Sequence, residues 1–172
     1  MEAAPDRSGD HDAGAEEGLY LGLTTRTAYG MEVARLLAAE LARRLDLPHE
    51  RAEAIELAVH EGLVNGLVHG NLGIAAVPRC SLEQFFAYCR QVERALSSED
   101  GGARRIEVTA RWDAAAVEVA VRDQGAGYDP QALPACAEGS RTSGRGLGLI
   151  AALTHGMTVA ERGRKLTMRF PR

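Results

Sequence analysis

Residues 53–71, EAIELAVHEGLVNGLVHGN, decide how the rest of the chain is read. Ile55, Val59, Leu63 and Leu67 recur every four residues, and Leu57, Val64 and Val68 form a second apolar stripe beside them. At about 100° per residue this spacing predicts a helix with a broad buried face. Glu61, Asn65 and His69 stand at i, i+4 and i+8 and share one side of it. A carboxylate, a carboxamide and an imidazole are costly on a largely apolar helix unless each is partnered or used. Two readings follow: a buried helix with one wet seam, or a helix that presents a polar site.

The composition bounds the class. The chain has 172 residues, enough for one domain with a sizeable core. Hydrophobic residues at 45% and charged residues at 26% place it among soluble globular proteins. A net charge of -4 gives no general affinity for nucleic acid. No apolar run is long enough to span a membrane, and residues 1–17 lack the basic-then-apolar order of a secretory signal. Cys80, Cys89 and Cys136 are odd in number and form no CxxC pair, so neither a disulfide framework nor a zinc site is indicated. The cytoplasm is the expected compartment.

Residues 1–17 are acidic and polar and read as a disordered tail, with one folded domain over 18–172. Leu19, Leu21 and Leu23 alternate with Tyr20, Gly22 and Thr24 and predict a short strand. Val33, Leu37, Leu41 and Leu45 mark a helix over 27–45, closed off before Pro48. Gly73 and Pro78 mark a loop. Ser81 and Gln84 form a capping-box pattern for a helix over 81–96, and 97–102 is a turn-rich connector. Phe85, Phe86 and Tyr88 on that helix are expected in the core, with a contact surface as the other reading. Alternation predicts strands over 106–112 and 117–121, joined as an antiparallel hairpin, and two more over 157–161 and 165–170 with a turn at Arg162 and Gly163.

Two glycine motifs bracket a loop over 128–143. Asp123-Gln124-Gly125-Ala126-Gly127 ends a strand with a carboxylate and two spaced glycines. It reads either as a plain turn or as backbone that approaches a flat ligand whose amino group the carboxylate accepts. Gly144-Arg145-Gly146-Leu147-Gly148 opens a helix. It reads either as a hinge or as amides at a helix start that suit phosphate. The P-loop ending is absent, and no dinucleotide fingerprint with βαβ spacing is present. The carbonyl of Asn65 is a suitable hard ligand for magnesium. Glu61, one turn away, can accept a proton from an attacking hydroxyl or water. His69 reads as a capping or packing residue near the helix end.

The order of these motifs resembles the GHKL ATPases. The resemblance runs over about residues 19–171. It implies a Bergerat-type α/β (α+β) two-layer sandwich, with a mixed, mostly antiparallel sheet packed on helices and ATP held between the helices and the loop. Glu61 to Asn65, the Asp123 motif and the Gly146 motif look most like those of the bacterial anti-sigma-factor serine/threonine kinases. That likeness implies Glu61 as general base and Asn65 as the Mg2+ ligand. Asp123 would contact adenine, with Gly125 and Gly127 admitting the base. Gly144, Arg145, Gly146, Leu147 and Gly148 would line the phosphates.

The implied function is an ATP-dependent kinase in a partner-switching pathway. It would hold a sigma factor or similar regulator and phosphorylate an anti-sigma-factor antagonist on Ser/Thr, and the kinases it resembles are homodimers. The helix over 81–96 departs from the simple anti-sigma kinases, which generally lack it. Two other functions fit the same motifs: a non-catalytic switch that recruits a protein when ATP or ADP binds, and the stand-alone ATPase half of a split histidine kinase.

Overall fold

The computed structural model describes residues 18–75, 81–127 and 145–172, with the Arg145 side chain left aside. The expectations for the 1–17 tail, the loop over 128–143, Cys80, Cys136 and Gly144 fall outside those residues. Among the described residues the architecture is the expected two layers, a five-stranded sheet with helices on one face.

The strands are β1 (Gly18–Thr24), β2 (Arg105–Trp112), β3 (Ala116–Arg122), β4 (Gly156–Ala160) and β5 (Lys165–Pro171). They lie in the order β1-β2-β3-β5-β4, and all four pairings are antiparallel. Register follows the hydrophobic alternation: Val117 faces Phe170, Val119 faces Met168 and Val121 faces Leu166. Those six side chains are buried towards the helices. The other face carries the Arg122 pairs with Glu107 and Glu161, as a one-sided antiparallel sheet allows. The β2–β3 turn is held by Asp113, whose carboxylate accepts from the amides of Ala115 (2.7 Å) and Ala116 (2.8 Å). These bonds hold its pKa below the usual range.

The helix expected over 27–45 is two. α1 (Thr25–Tyr29) is capped by the Thr24 hydroxyl, stops at Gly30, and is followed by α2 (Val33–Leu45). The central helix begins earlier than expected, directly after Pro48, whose fixed φ suits a helix start. α3 (His49–Val64) then runs on as a π-helical segment, Asn65–Asn71, with the Leu72 amide donating to the Leu67 carbonyl five residues back. Leu57 is 51% exposed, so the second apolar stripe does not extend to it. α4 (Leu82–Ser97) is capped by Ser81 as its pattern predicts. The connector after it is a short helix, α5 (Glu99–Ala103), because Ser98 caps it through the Gly101 amide. Phe85 and Phe86 are 49% and 52% exposed, which places them on the surface rather than in the core. α6 (Arg145–Leu153) completes the helical layer, with Ile150 fully buried.

The layers meet closely at Gly62. A Cβ there would lie 3.2 Å from Leu166 and 3.4 Å from Met168, so the missing side chain lets α3 press on the sheet. A second junction is polar. Asn71, 1% exposed, donates through its amide to the Thr25 hydroxyl (2.9 Å) and the Arg105 carbonyl (3.0 Å). Its side-chain oxygen accepts from the Gln124 amide (2.7 Å), and Arg104 donates to its backbone carbonyl (2.7 Å). One side chain thus ties the end of the π-helical segment to α1, β2 and the strand end after β3. Asn71→Ala strips partners from buried polar groups on three elements. It is expected to cost about 2–4 kcal/mol and to lower the melting temperature by roughly 5–15 °C, read by thermal unfolding.

Candidate functional site

The first group forms where α6 crosses α3. Glu61 and Asn65 are half-buried and one turn apart, so both point to the same side of the helix. Gly146, in the first turn of α6, lies against them. A Cβ on Gly146 would come 2.9 Å from Glu61 Oε2, 3.5 Å from Asn65 Nδ2 and 3.6 Å from Asn65 Oδ1. Gly62 sets the depth of Glu61, because it seats this turn of α3 on the sheet. A carboxylate, an amide and a helix start are therefore assembled at one spot by two stretches of sequence far apart in the chain.

The second group forms at the end of β3. Asp123 is 9% exposed and faces the π-helical segment. A Cβ on Gly70 would lie 2.6 Å from the carboxylate, so the glycine there lets it settle; at Gly66 the close neighbour is Ile106 at 2.8 Å, with the Asp123 Cβ in ordinary contact at 3.5 Å. One carboxylate oxygen accepts from the Gly125 amide at 2.7 Å. The other accepts from no further residue among those described. Gly125 itself packs backbone to backbone against Gly70. Burial pushes the Asp123 pKa up, and the Gly125 amide and the charge of Arg164 offset part of that rise.

The remaining expected residues are spread around these groups. Gly127 adopts φ +74°, a conformation that favours glycine, and packs against the Arg162 carbonyl. Leu147 is half-buried against the core, whereas a Cβ on Gly148 would meet nothing within 4 Å. Arg145 begins α6. His69 does not line up with Glu61 and Asn65. The wider π-helical winding turns it away, and its Nδ1 pairs with the Ile74 carbonyl at 2.6 Å, the capping role expected of it.

Sequence reasoning missed Asn71, Gly66 and Gly70. At the end of a helix pattern Asn71 reads as a local terminator, and its partners lie 34 to 53 residues away. The signal for the glycines was their spacing, Gly62, Gly66 and Gly70, one per turn along the sheet-facing side.

The family model for the histidine kinase-like ATPase domain matches residues 24–170. The chain belongs to that family. No curated protein matches it. Membership implies ATP as the ligand of this ATPase domain, and the donors fit an adenine nucleotide. At one end Asp123 keeps an oxygen that suits an amino group, while the space beside Gly125 and Gly127 is taken by the Gly70 backbone and the Arg162 carbonyl. At the other end Gly146 and Gly148 open a helix whose start suits phosphate. Among the described residues no cluster of three His, Cys, Asp or Glu side chains suits a metal ion held by protein alone. No described helix is long and apolar enough to cross a membrane.

The two motifs should respond differently to a methyl group. Gly125→Ala drives a Cβ into the Gly70 backbone, which has no rotamer to yield, and is expected to destabilise by about 1–3 kcal/mol. Gly148→Ala meets open space inside a helix and is expected to stabilise the apo protein by up to about 1 kcal/mol. If Gly148 faces nucleotide, that same variant weakens ATP binding. Thermal unfolding beside calorimetric titration reads both.

The raised pKa of Asp123 sets a pH dependence. Its ionised form is disfavoured in the folded protein, so its contribution to apo stability is unfavourable at neutral pH. That penalty is relieved as pH falls through the folded pKa. The resemblance implies Asp123 as the adenine acceptor; in that role it must be ionised, so affinity should fall over the same interval, at a higher pH than for an exposed aspartate. Asp123→Asn keeps an oxygen for the Gly125 amide and removes the buried charge. It should leave the apo melting temperature unchanged or higher, and weaken binding by about 1.5–3 kcal/mol. Its binding should lose the acid-side fall in titrations at stepped pH.

Proposed function

We propose that the protein is an ATP-dependent Ser/Thr protein kinase of the anti-sigma-factor type. In this reading it holds a sigma factor or similar regulator and phosphorylates an antagonist protein in the cytoplasm. The observation that carries the proposal is the convergence of Glu61, Asn65 and Gly146. A nucleotide sensor needs a phosphate site but no carboxylate beside it, whereas phosphoryl transfer to a hydroxyl has a use for a base.

In the proposed reaction the Ser/Thr hydroxyl oxygen of the antagonist attacks the γ-phosphorus. The new O–P bond forms as the bond to the β,γ-bridging oxygen breaks, ADP leaves, and Glu61 takes the hydroxyl proton. Asn65 would hold Mg2+ through its side-chain oxygen, and the bound ion would offset phosphate charge. Asp123 orients the nucleotide from the adenine end. The first turn of α6 supplies amides towards the phosphates.

Glu61 and Asn65 are expected to fail differently. Glu61→Gln keeps shape and hydrogen-bonding capacity but loses basicity. It should slow transfer by roughly 10²–10⁴-fold with ATP affinity nearly unchanged. Asn65→Ala should weaken Mg-ATP binding and transfer together. The measurements are calorimetric ATP affinity and single-turnover transfer of labelled phosphate to candidate antagonist proteins. Transfer by Glu61→Gln at the parental rate rules out the base. ATP binding by the parent without transfer to any protein of its native extract would favour the non-catalytic switch.

A further inference from the structure

α4 carries an apolar stripe that the rest of the protein covers only in part. At about 100° per residue, Leu82, Phe85, Phe86, Cys89, Val92 and Leu96 fall within an arc of about 120°. The C-terminal half of that stripe is seated. Val92 is 3% exposed, and Leu96 packs against the core. Arg26 of α1 fastens this end by donating to the Leu96 carbonyl at 2.9 Å and the Ser98 carbonyl at 3.3 Å. The N-terminal half overhangs. Leu82 is 72% exposed, Phe85 49% and Phe86 52%. Tyr29, itself exposed, lies beside Tyr88 on one edge of the overhang. One helix face is thus core at one end and bare at the other, with the capping hydrogen bond of Ser81 holding the bare end helical.

The charges beside the bare end say what covers it. Glu83 and Arg90 are seven residues apart and lie on the same flank, about 40–60° beyond Phe86. In an antiparallel helix pair about a two-fold axis, residue i of one copy faces residue j of the other and j faces i, and like flanks meet. An axis between Phe86 and Ala87 puts Glu83 opposite the second copy's Arg90, and Arg90 opposite its Glu83. Both pairs then lie along one side of the helix pair, and that side is complementary. A parallel pairing sets like residues side by side and lacks this match.

We infer that the N-terminal half of α4 is a homodimer interface, in which two copies pair antiparallel through Leu82, Phe85 and Phe86, with Glu83 and Arg90 setting the register. The apolar stripe supplies the affinity, and the exposed ion pairs supply orientation. The bare patch is smaller than a standard interface, so the dimer is weak and concentration-dependent. The inference is independent of the phosphoryl-transfer reading, because α4 contributes no residue to the nucleotide site.

The test is sedimentation equilibrium of the full chain from low to high micromolar concentration. The expected mass rises from 18.4 kDa towards twice that value. Leu82→Ser/Phe86→Ser should weaken association by about tenfold or more, with an unchanged circular-dichroism spectrum. Glu83→Arg and Arg90→Glu should each weaken it, because each sets like charges against each other across the two-fold axis. An equimolar mixture of those two variants should associate more tightly than either alone, because two arginines on one copy then face two glutamates on the other. A monomer at every concentration overturns the inference and leaves the patch to a different protein. A dimer indifferent to these variants, or a mixture no tighter than its components, overturns it equally.

Discussion

A carboxylate buried against backbone is the constraint on which the rest of this structure depends. Asp123 stands at a strand end, where the Gly125 amide donates to it and no cation among the described residues is bonded to it. Such a group is unfavourable in the apo protein, and burial raises its pKa accordingly. What keeps it in place is close packing rather than charge pairing. Gly70 removes the side chain that would push it out, and Gly125 locks on the Gly70 backbone. In the proposed site, an amino group brought to the free oxygen would restore part of what burial removed.

The change of helical winding at Asn65 follows from the same need. In α3 the spacing serves the core and sets Glu61 and Asn65 on one side. Beyond Asn65 the chain must present glycines to Asp123 and deliver Asn71 to a buried junction 34 to 53 residues away in sequence. The wider turn does both, and π-helical insertions recur at functional sites. It also removes His69 from the row and leaves it to close the turn on Ile74. Asn71 then takes the position that an apolar residue would hold in an ordinary helix. Its three side-chain hydrogen bonds offset the loss of water.

What the sequence made legible follows from which forces are local. Period-two alternation located all five strands to within a residue, because one face of the sheet is buried and the other wet. Ser81 marked a helix start through a side-chain constraint that acts within four residues. The break at Gly30 was missed because Val33, Leu37, Leu41 and Leu45 sustain a helical period that says nothing of residues before them. Leu57, Phe85 and Phe86 were misplaced because amphipathic patterning reports that a face is apolar, not what lies against it. The placement of Gly146 on Glu61 and Asn65 was legible only through the order of the motifs. No local rule links a glycine to side chains so far back in the chain, and the meeting rests on α6 packing its buried Ile150 into the core.

The site is therefore built in two ways at its two ends. The end proposed for adenine is fixed by the Asn71 junction and by contacts between backbone atoms, where a displacement breaks several buried hydrogen bonds together. The phosphate end is a contact between two helices, and its geometry is only as fixed as the seating of α6. A kinase of the proposed kind, which holds adenine in one place during transfer of the γ-phosphoryl group, has reason to be rigid at the first end. The same enzyme has reason to be adjustable at the second, and Glu61 and Asn65 stand on the rigid helix that both ends share.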